Sequence, residues 1–198
     1  MLIAVSKGCA ATSIRTLAEA GQRRFGESYL NEAIPKLDAL AGLGLEWHYI
    51  GPIQSNKTRG IAARFDWVHS VDRVRIAQRL SEQRPPELAP LNLCIQINIS
   101  AETGKSGVKP EEALDLVRYV SRLPRLKVRG LMAIPAPDPD PVARRDVFRR
   151  LHDLQSALIG AGFALDTLSI GMSDDFEDAI AEGATLVRIG TALFGPGR

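Results

Sequence analysis

The sequence has few cysteines, few aromatic residues and no long apolar run. Cys9 and Cys94 are the only cysteines in 198 residues, and their wide separation matches neither a zinc knuckle nor a redox pair. No apolar stretch approaches the ~20 residues of a membrane span, and the N-terminus lacks the pattern of a secretory signal. We therefore predict a cytoplasmic protein with no membrane partner and no metal site.

The sequence also has no large excess of charge of one sign. The chain has 25 Lys and Arg against 23 Asp and Glu, a formal net charge of +2, and the basic residues form no single stripe. Nucleic acid is therefore not an expected partner. The composition is 45% hydrophobic, which excludes disorder and predicts one domain over residues 1–198.

Short β-like runs alternate with amphipathic helical runs along the whole chain, and this order is typical of a parallel sheet. The eight predicted strands cover residues 2–6, 24–26, 46–50, 67–70, 91–99, 127–133, 167–170 and 186–189. Each strand–helix unit takes about 25 residues, which is short for a (β/α)8 barrel but sufficient if the loops are lean. An open, doubly wound sheet is the alternative.

The fifth run favours the barrel. Its odd-numbered residues between Leu91 and Ile99 are all apolar, whereas Asn92, Cys94 and Gln96 share the other face. An open parallel sheet is covered by helices and is apolar on both faces, but a barrel interior can hold polar groups around a ligand. We therefore predict an α/β fold of the (β/α)8 TIM-barrel class.

Two cationic residues stand at the predicted strand ends where such barrels build their sites. Lys7 follows the first strand, and a partly desolvated amine there could form a Schiff base with an aldehyde. Arg188 faces inward from the last strand, because Val187 and Ile189 face the helices. A buried guanidinium requires an anion or a ring nitrogen, so either a ligand or an internal carboxylate is its expected partner.

A phosphate site is predicted from the last two loops. Gly190 permits close backbone approach, and Thr191 adds a hydroxyl at a helix start. Ser173, after the seventh strand, offers the same chemistry, although it could serve only as a helix N-cap. Loops seven and eight are the usual phosphate-binding loops of this barrel.

These motifs together resemble the pyridoxal 5′-phosphate (PLP) homeostasis proteins. The matching segments are AVSK (4–7), FGE (25–27), HYIG (48–51), QIN (96–98), GLMAIP (130–135), GMSDD (171–175) and VRIGT (187–191). The resemblance implies a barrel similar to the alanine racemase N-terminal domain, with PLP as its cofactor. The cofactor-binding residues that it implies are Lys7, Ser28, Met132, Ser173, Arg188, Gly190 and Thr191.

Within that resemblance, Lys7 forms a Schiff base with PLP, the last two loops hold the phosphate, and Arg188 approaches the pyridine nitrogen. Ser28 stands where the family has Asn. Members usually carry a helix before the first strand, and this chain begins inside that strand, so we expect the helix to be lacking.

The function expected is that of a non-catalytic, monomeric carrier that buffers PLP and delivers it to PLP-dependent apoenzymes, with no catalytic residues. An amino-acid racemase on the same cofactor is the alternative. Racemisation needs an acid or base on each face of the substrate, and Tyr29 is the only nearby candidate for the second group. A lysine-dependent aldolase would explain Lys7 and the phosphate site but not Arg188.

Overall fold

The computed structural model describes residues 1–100 and 104–195. Eight strands alternate with helices, and every strand pairs in parallel with its neighbours in the order β7-β6-β5-β4-β3-β2-β1-β8. The strands are β1 (Leu2–Val5), β2 (Arg24–Glu27), β3 (Glu46–Tyr49), β4 (Trp67–Val71), β5 (Leu91–Gln96), β6 (Leu126–Met132), β7 (Thr167–Ser169) and β8 (Val187–Ile189).

A parallel bridge between Ser169 and Leu186 brings the two ends of this sheet together. The eight strands therefore form a nearly closed barrel, and the prediction of a (β/α)8 barrel is confirmed over the open sheet. No helix in residues 1–100 and 104–195 has the length and hydropathy to cross a membrane.

The helices form the outer layer of the barrel. They are α1 (Ala11–Glu19), α2 (Leu30–Ala39), α3 (Thr58–Arg64), α4 (Val74–Gln83), α5 (Ala113–Val120), α6 (Pro141–Gly160), α7 (Phe176–Ala181) and α8 (Thr191–Phe194), with 3-10 turns at Ser55–Lys57 and Pro110–Glu112. The longest helix, α6, starts where the sequence supplies both start signals. The Asp140 side chain accepts a hydrogen bond from the Val142 N–H, and Pro141 occupies the first turn.

The two faces of strand β5 pack into different parts of the core. Leu91, Leu93 and Ile95 are fully buried in the layer between the strands and the helices. Cys94 has the opposite parity and packs with Trp67 and Met132 in a separate cluster inside the barrel. The predicted parity of this strand is confirmed, and the carboxyl ends of all eight strands open on one face.

Candidate functional site

A cavity of about 250 Å³ lies at the carboxyl ends of the strands. Six of the seven predicted cofactor-binding residues line it: Lys7, Ser28, Ser173, Arg188, Gly190 and Thr191. They come from loops after β1, β2 and β7 and from the end of β8, and Lys7 lies close to the β8 residues because β1 pairs with β8. The sequence did not single out Ile134 and Met172, which supply apolar parts of the same wall.

Lys7 stands two residues beyond the end of β1, and its side chain is exposed at the edge of the cavity. The partial desolvation expected for this amine stays a prediction. An exposed amine can reach into the cavity from its rim. The following residue, Gly8, has a φ of 74°, a left-handed conformation that favours glycine and turns the chain away from the strand.

A buried ion cluster holds the backbone on both sides of Lys7. The Nζ of Lys36 on α2 donates to the Ser6 carbonyl oxygen at 2.8 Å and to Glu27 Oε1 at 2.9 Å. It also pairs with Glu32, whose Oε1 accepts a hydrogen bond from the Gly8 N–H at 2.5 Å. We call Glu27, Glu32 and Lys36 the lysine clamp.

The lysine clamp was not predicted from the sequence. Glu32 and Lys36 have the i, i+4 spacing of a helical ion pair, but such pairs are usually solvent-exposed and contribute little. Here the Glu27 side chain is fully buried and the Lys36 side chain is only 9% exposed. Burial raises the pKa of the Glu27 carboxyl, and hydrogen bonds from Ser6 and Lys36 oppose that rise.

Arg188 enters the same cavity from β8 and is only 4% exposed. Its Nη1 donates to the Ser169 carbonyl oxygen at 2.6 Å and to Ser169 Oγ at 2.7 Å, and its Nη2 donates to the Ala133 carbonyl oxygen at 2.9 Å. Burial lowers the pKa of Arg188 to about 10, so the group stays charged at neutral pH.

The sequence left two expected partners for the buried Arg188 guanidinium, a ligand or an internal carboxylate. The geometry does not favour the internal carboxylate. In residues 1–100 and 104–195, no salt bridge to Arg188 is formed, and its three protein partners are neutral oxygens. A guanidinium has five N–H donors, so the Nε–H and one Nη2–H remain for a ligand. A buried, unpaired guanidinium that lines a cavity is suited to an acceptor on a bound molecule.

The predicted phosphate-binding residues meet at the other end of the cavity. Ser173, Gly190 and Thr191, which we call the anion cradle, all line it, and the Gly190 N–H donates to Ser173 Oγ at 3.4 Å. Thr191 begins α8, and the Leu193 and Phe194 N–H groups of that helix donate to the Gly190 carbonyl oxygen. The loop before Ser173 is shaped by Gly171, which has a φ of 92°. The cradle therefore places two hydroxyls and the Gly190 backbone in the cavity wall.

Met132 does not line this cavity. It is the last residue of β6, is fully buried, and packs with Trp67 and Cys94 inside the barrel. Its place in the matching segment suggested a contact, but the residue of that segment that reaches the cavity wall is Ile134. His48 and His69 are also fully buried in the barrel interior, away from the cavity lining.

A second cavity of about 430 Å³ lies beside the first at the same face. Ser28 lines both, whereas Tyr29 and Lys57 line only the second. Tyr29 is 60% exposed, and Lys57 Nζ donates to Asn31 Oδ1 at 2.9 Å. The phenol that could act as a second acid or base is therefore outside the wall that contains Lys7 and Arg188.

Comparison with known proteins places this arrangement in a family. The model of the alanine racemase N-terminal domain matches residues 2–197. The chain is 58% identical to the pyridoxal phosphate homeostasis protein of Pseudomonas aeruginosa, over 98% of this chain and 83% of that protein. It is 53% identical to the protein of the same name from Escherichia coli K12, over 98% of this chain and 84% of that protein.

The chain belongs to the pyridoxal phosphate homeostasis protein family. The resemblance seen in the sequence motifs is thereby confirmed. Among solved structures, PipY of Synechococcus elongatus PCC7942 with PLP bound has a TM-score of 0.90 and 38% identity, covering 98% of this chain and 92% of PipY. Alanine racemase from Corynebacterium glutamicum has a TM-score of 0.72 and 21% identity, and the match covers 98% of this chain and 55% of the racemase chain. This similarity indicates a shared fold.

Proposed function

We propose that this member of the homeostasis family binds PLP as a Schiff base on Lys7 and acts as a carrier that buffers PLP and delivers it to apoenzymes in the cytoplasm. One observation carries the proposal. An amine, a buried guanidinium without a carboxylate and an anion cradle all line a single cavity of about 250 Å³. The names of the relatives and the PLP bound to PipY support it.

Each group fits one part of PLP. When bound, PLP supplies an aldehyde, a phosphate and a ring that can withdraw electrons. Lys7 would supply the amine that condenses with the aldehyde, with loss of one water. Ser173, Gly190 and Thr191 would hold the phosphate, and Ile134 and Met172 would provide apolar contact.

Arg188 favours a carrier over a transaminase. Its guanidinium stays protonated at neutral pH, so it donates a hydrogen bond to a ring nitrogen but does not transfer a proton to it as a carboxylic acid would. An unprotonated ring is a weak electron sink and gives poor support to carbanion chemistry. We therefore propose that the bound cofactor is stored and is not used for catalysis.

The position of Tyr29 supports the same conclusion. A racemase needs an acid or base on each face of the substrate, and Lys7 supplies one of the two. Tyr29 lines the neighbouring cavity and is 60% exposed. The second group that the residues suggested for a racemase thus lies outside the Lys7 cavity, and we propose that the monomeric protein is not an enzyme.

The test is an absorbance spectrum of the purified protein after incubation with PLP, before and after borohydride. We expect an imine band that borohydride removes, with PLP fixed to Lys7 in a peptide map. Lys7→Ala should abolish the band and leave the fold intact, because the side chain is exposed. Lys57→Ala, at the neighbouring cavity, is the matched control and should keep the band.

An unchanged spectrum in Lys7→Ala would refute the Schiff base. Formation of D-alanine from L-alanine by the wild-type protein, at a rate that Lys7→Ala lacks, would replace the carrier by the racemase. Cleavage of a sugar phosphate with no PLP bound would instead support the aldolase.

A further inference from the structure

A chain of hydrogen-bonded side chains crosses the barrel interior below the cavity. Arg188 Nη1 donates to Ser169 Oγ at 2.7 Å, and Ser169 Oγ lies 2.9 Å from His69 Nδ1. His69 Nε2 lies 3.0 Å from His48 Nδ1, and His48 Nε2 lies 2.9 Å from Glu46 Oε1. We call Glu46, His48, His69 and Ser169 the interior relay.

With both imidazoles neutral, the Glu46 end of the interior relay fixes the direction of every proton in it. Glu46 is a carboxylate that can only accept, so His48 donates to it through Nε2 and accepts at Nδ1. His69 then carries its proton on Nε2 and donates to His48 Nδ1, which leaves His69 Nδ1 as an acceptor. Ser169 Oγ accepts from Arg188, which can only donate, and gives its own proton to His69 Nδ1. Two neutral Nε2–H tautomers therefore match all donors and acceptors of the relay.

Burial agrees with that assignment. Both imidazoles are fully buried, and desolvation lowers the pKa of His48 and places that of His69 well below its ordinary value. Trp67 packs against both rings, with centroids 5.5 Å from His48 and 5.8 Å from His69. These contacts hold the rings in place without adding a charge.

The charged neighbours lie at the two ends of the interior relay. Arg24 pairs with Glu46 at 3.1 Å, and Asp66 and Arg24 act electrostatically on His48. Arg188 and His48 are the groups that act electrostatically on His69, and Asp175 and Cys94 are those that act on Arg188. The Glu46 side chain is 38% exposed, so the relay runs from solvent at the amino end of β3 to the cavity at the carboxyl end of β8.

We propose that Ser169 and His69 are positioning residues that hold Arg188 for the pyridine ring of PLP, with His48 and Glu46 fixing the tautomer of His69. This inference rests on the proposed function. Ser169 binds Nη1 through its hydroxyl, and the relay locks that hydroxyl in the accepting orientation toward Arg188. The Nε–H and one Nη2–H are then left for the ring nitrogen, because the other three donors are engaged.

The experiment compares Ser169→Ala with Thr167→Val. Both changes remove one hydroxyl from β7 at fully buried positions, but the Thr167 hydroxyl donates to Asp166 and lies outside the relay. Ser169→Ala should weaken PLP retention about tenfold, the effect of losing one hydrogen bond to a charged group, and should shift the imine band and its pH profile. Thr167→Val should leave the affinity, the band and the pH profile unchanged.

Nitrogen NMR of the histidine rings in the protein without PLP provides a second readout that needs no variant. We expect two neutral Nε2–H rings at pH 7, and in Ser169→Ala a changed Nδ1 signal for His69. A charged ring, or an Nδ1–H tautomer at His69, would overturn the relay. If the wild-type protein binds PLP and Ser169→Ala binds it equally well with the same spectrum, the positioning role is wrong. A wild-type protein without an imine band would instead reject the proposed function.

Discussion

Removal of the ammonium group from the lysine clamp tests how the Lys7 backbone is held. In Lys36→Met, the fully buried Glu27 loses its cation, while the volume of the side chain is roughly kept. The Ser6 carbonyl and Glu32 also lose a donor. Since Glu27 cannot stay charged and unpaired in the interior, we expect it to become protonated in the folded variant.

The cost can be worked from that protonation. Protonating a carboxyl with an ordinary pKa of 4.5 at pH 7 costs about 2.5 pH units at about 1.4 kcal/mol each, so about 3.5 kcal/mol is the upper bound. The raised pKa of Glu27 in the wild type already includes part of that cost. This upper bound agrees with the roughly 3–5 kcal/mol measured when one partner of a buried ion pair is removed. In a protein of this length, it corresponds to a loss of roughly 10 °C in melting temperature.

The pH dependence separates this mechanism from a simple loss of packing. A raised pKa in the folded state contributes stability that is fully present below the unfolded value and is lost as the pH rises. The stability deficit of Lys36→Met relative to wild type should therefore shrink from at most about 3.5 kcal/mol at pH 7 to at most about 1 kcal/mol at pH 5.

Urea unfolding of both proteins across that pH range measures the deficit. Lys57→Met is the control, because the Lys57 ammonium donates to Asn31 at the protein surface and its removal should cost less than about 0.5 kcal/mol at every pH. A deficit for Lys36→Met that does not change between pH 7 and pH 5 would refute the reasoning. So would a deficit below about 1 kcal/mol.

Two further predictions concern the histidines and the anion cradle. Burial depresses the pKa of His48 and His69, so the free energy of unfolding of the wild type should be constant above pH 6.5. As the pH drops from 6.5, it should decrease by at most about 1.4 kcal/mol per pH unit for each ring. Urea midpoints that do not change from pH 7 to pH 5.5 would contradict this. Gly171→Ala should destabilise the fold by about 1–3 kcal/mol and weaken phosphate binding, since its Cβ would lie 2.7 Å from Ala179. Gly42 also has a positive φ, but an added Cβ there would meet no atom within 4 Å, so Gly42→Ala should cost only the backbone strain. An equal loss of stability in the two variants would show that the contact with Ala179 is unimportant.

The strands could be predicted from the sequence because alternation and β-branched runs are local signals. The bounds of the eight runs differ from those of the strands by at most three residues, and β5 shows the largest difference. Its apolar alternation continues through Ile97 and Ile99, but the ladder stops at Gln96. The Asn98 N–H then donates to the Val108 carbonyl oxygen, in a loop whose course no local pattern reveals.

The cavity wall could be predicted for a different reason. Parallel strands bring their carboxyl ends to one face, so polar residues that follow several strands must meet there. That rule located Lys7, Ser173 and Arg188. It could not locate Ser169, which supports Arg188 from within the barrel and approaches His69 across 100 residues of sequence. Such pairs depend on closure of the barrel and leave no spacing that a single sequence can show.

The two ends of the proposed cofactor site are supported by separate networks. The lysine clamp lies between the β1–β2 edge and α2, outside the barrel, and bonds to the residues on either side of Lys7. The interior relay lies inside the barrel and bonds to Arg188. The two share no hydrogen bond, so a change in one leaves the donors of the other in place. The amine and the ring contact can therefore be tuned independently, so the proposed carrier can adjust how firmly it holds the ring without altering the proposed covalent linkage.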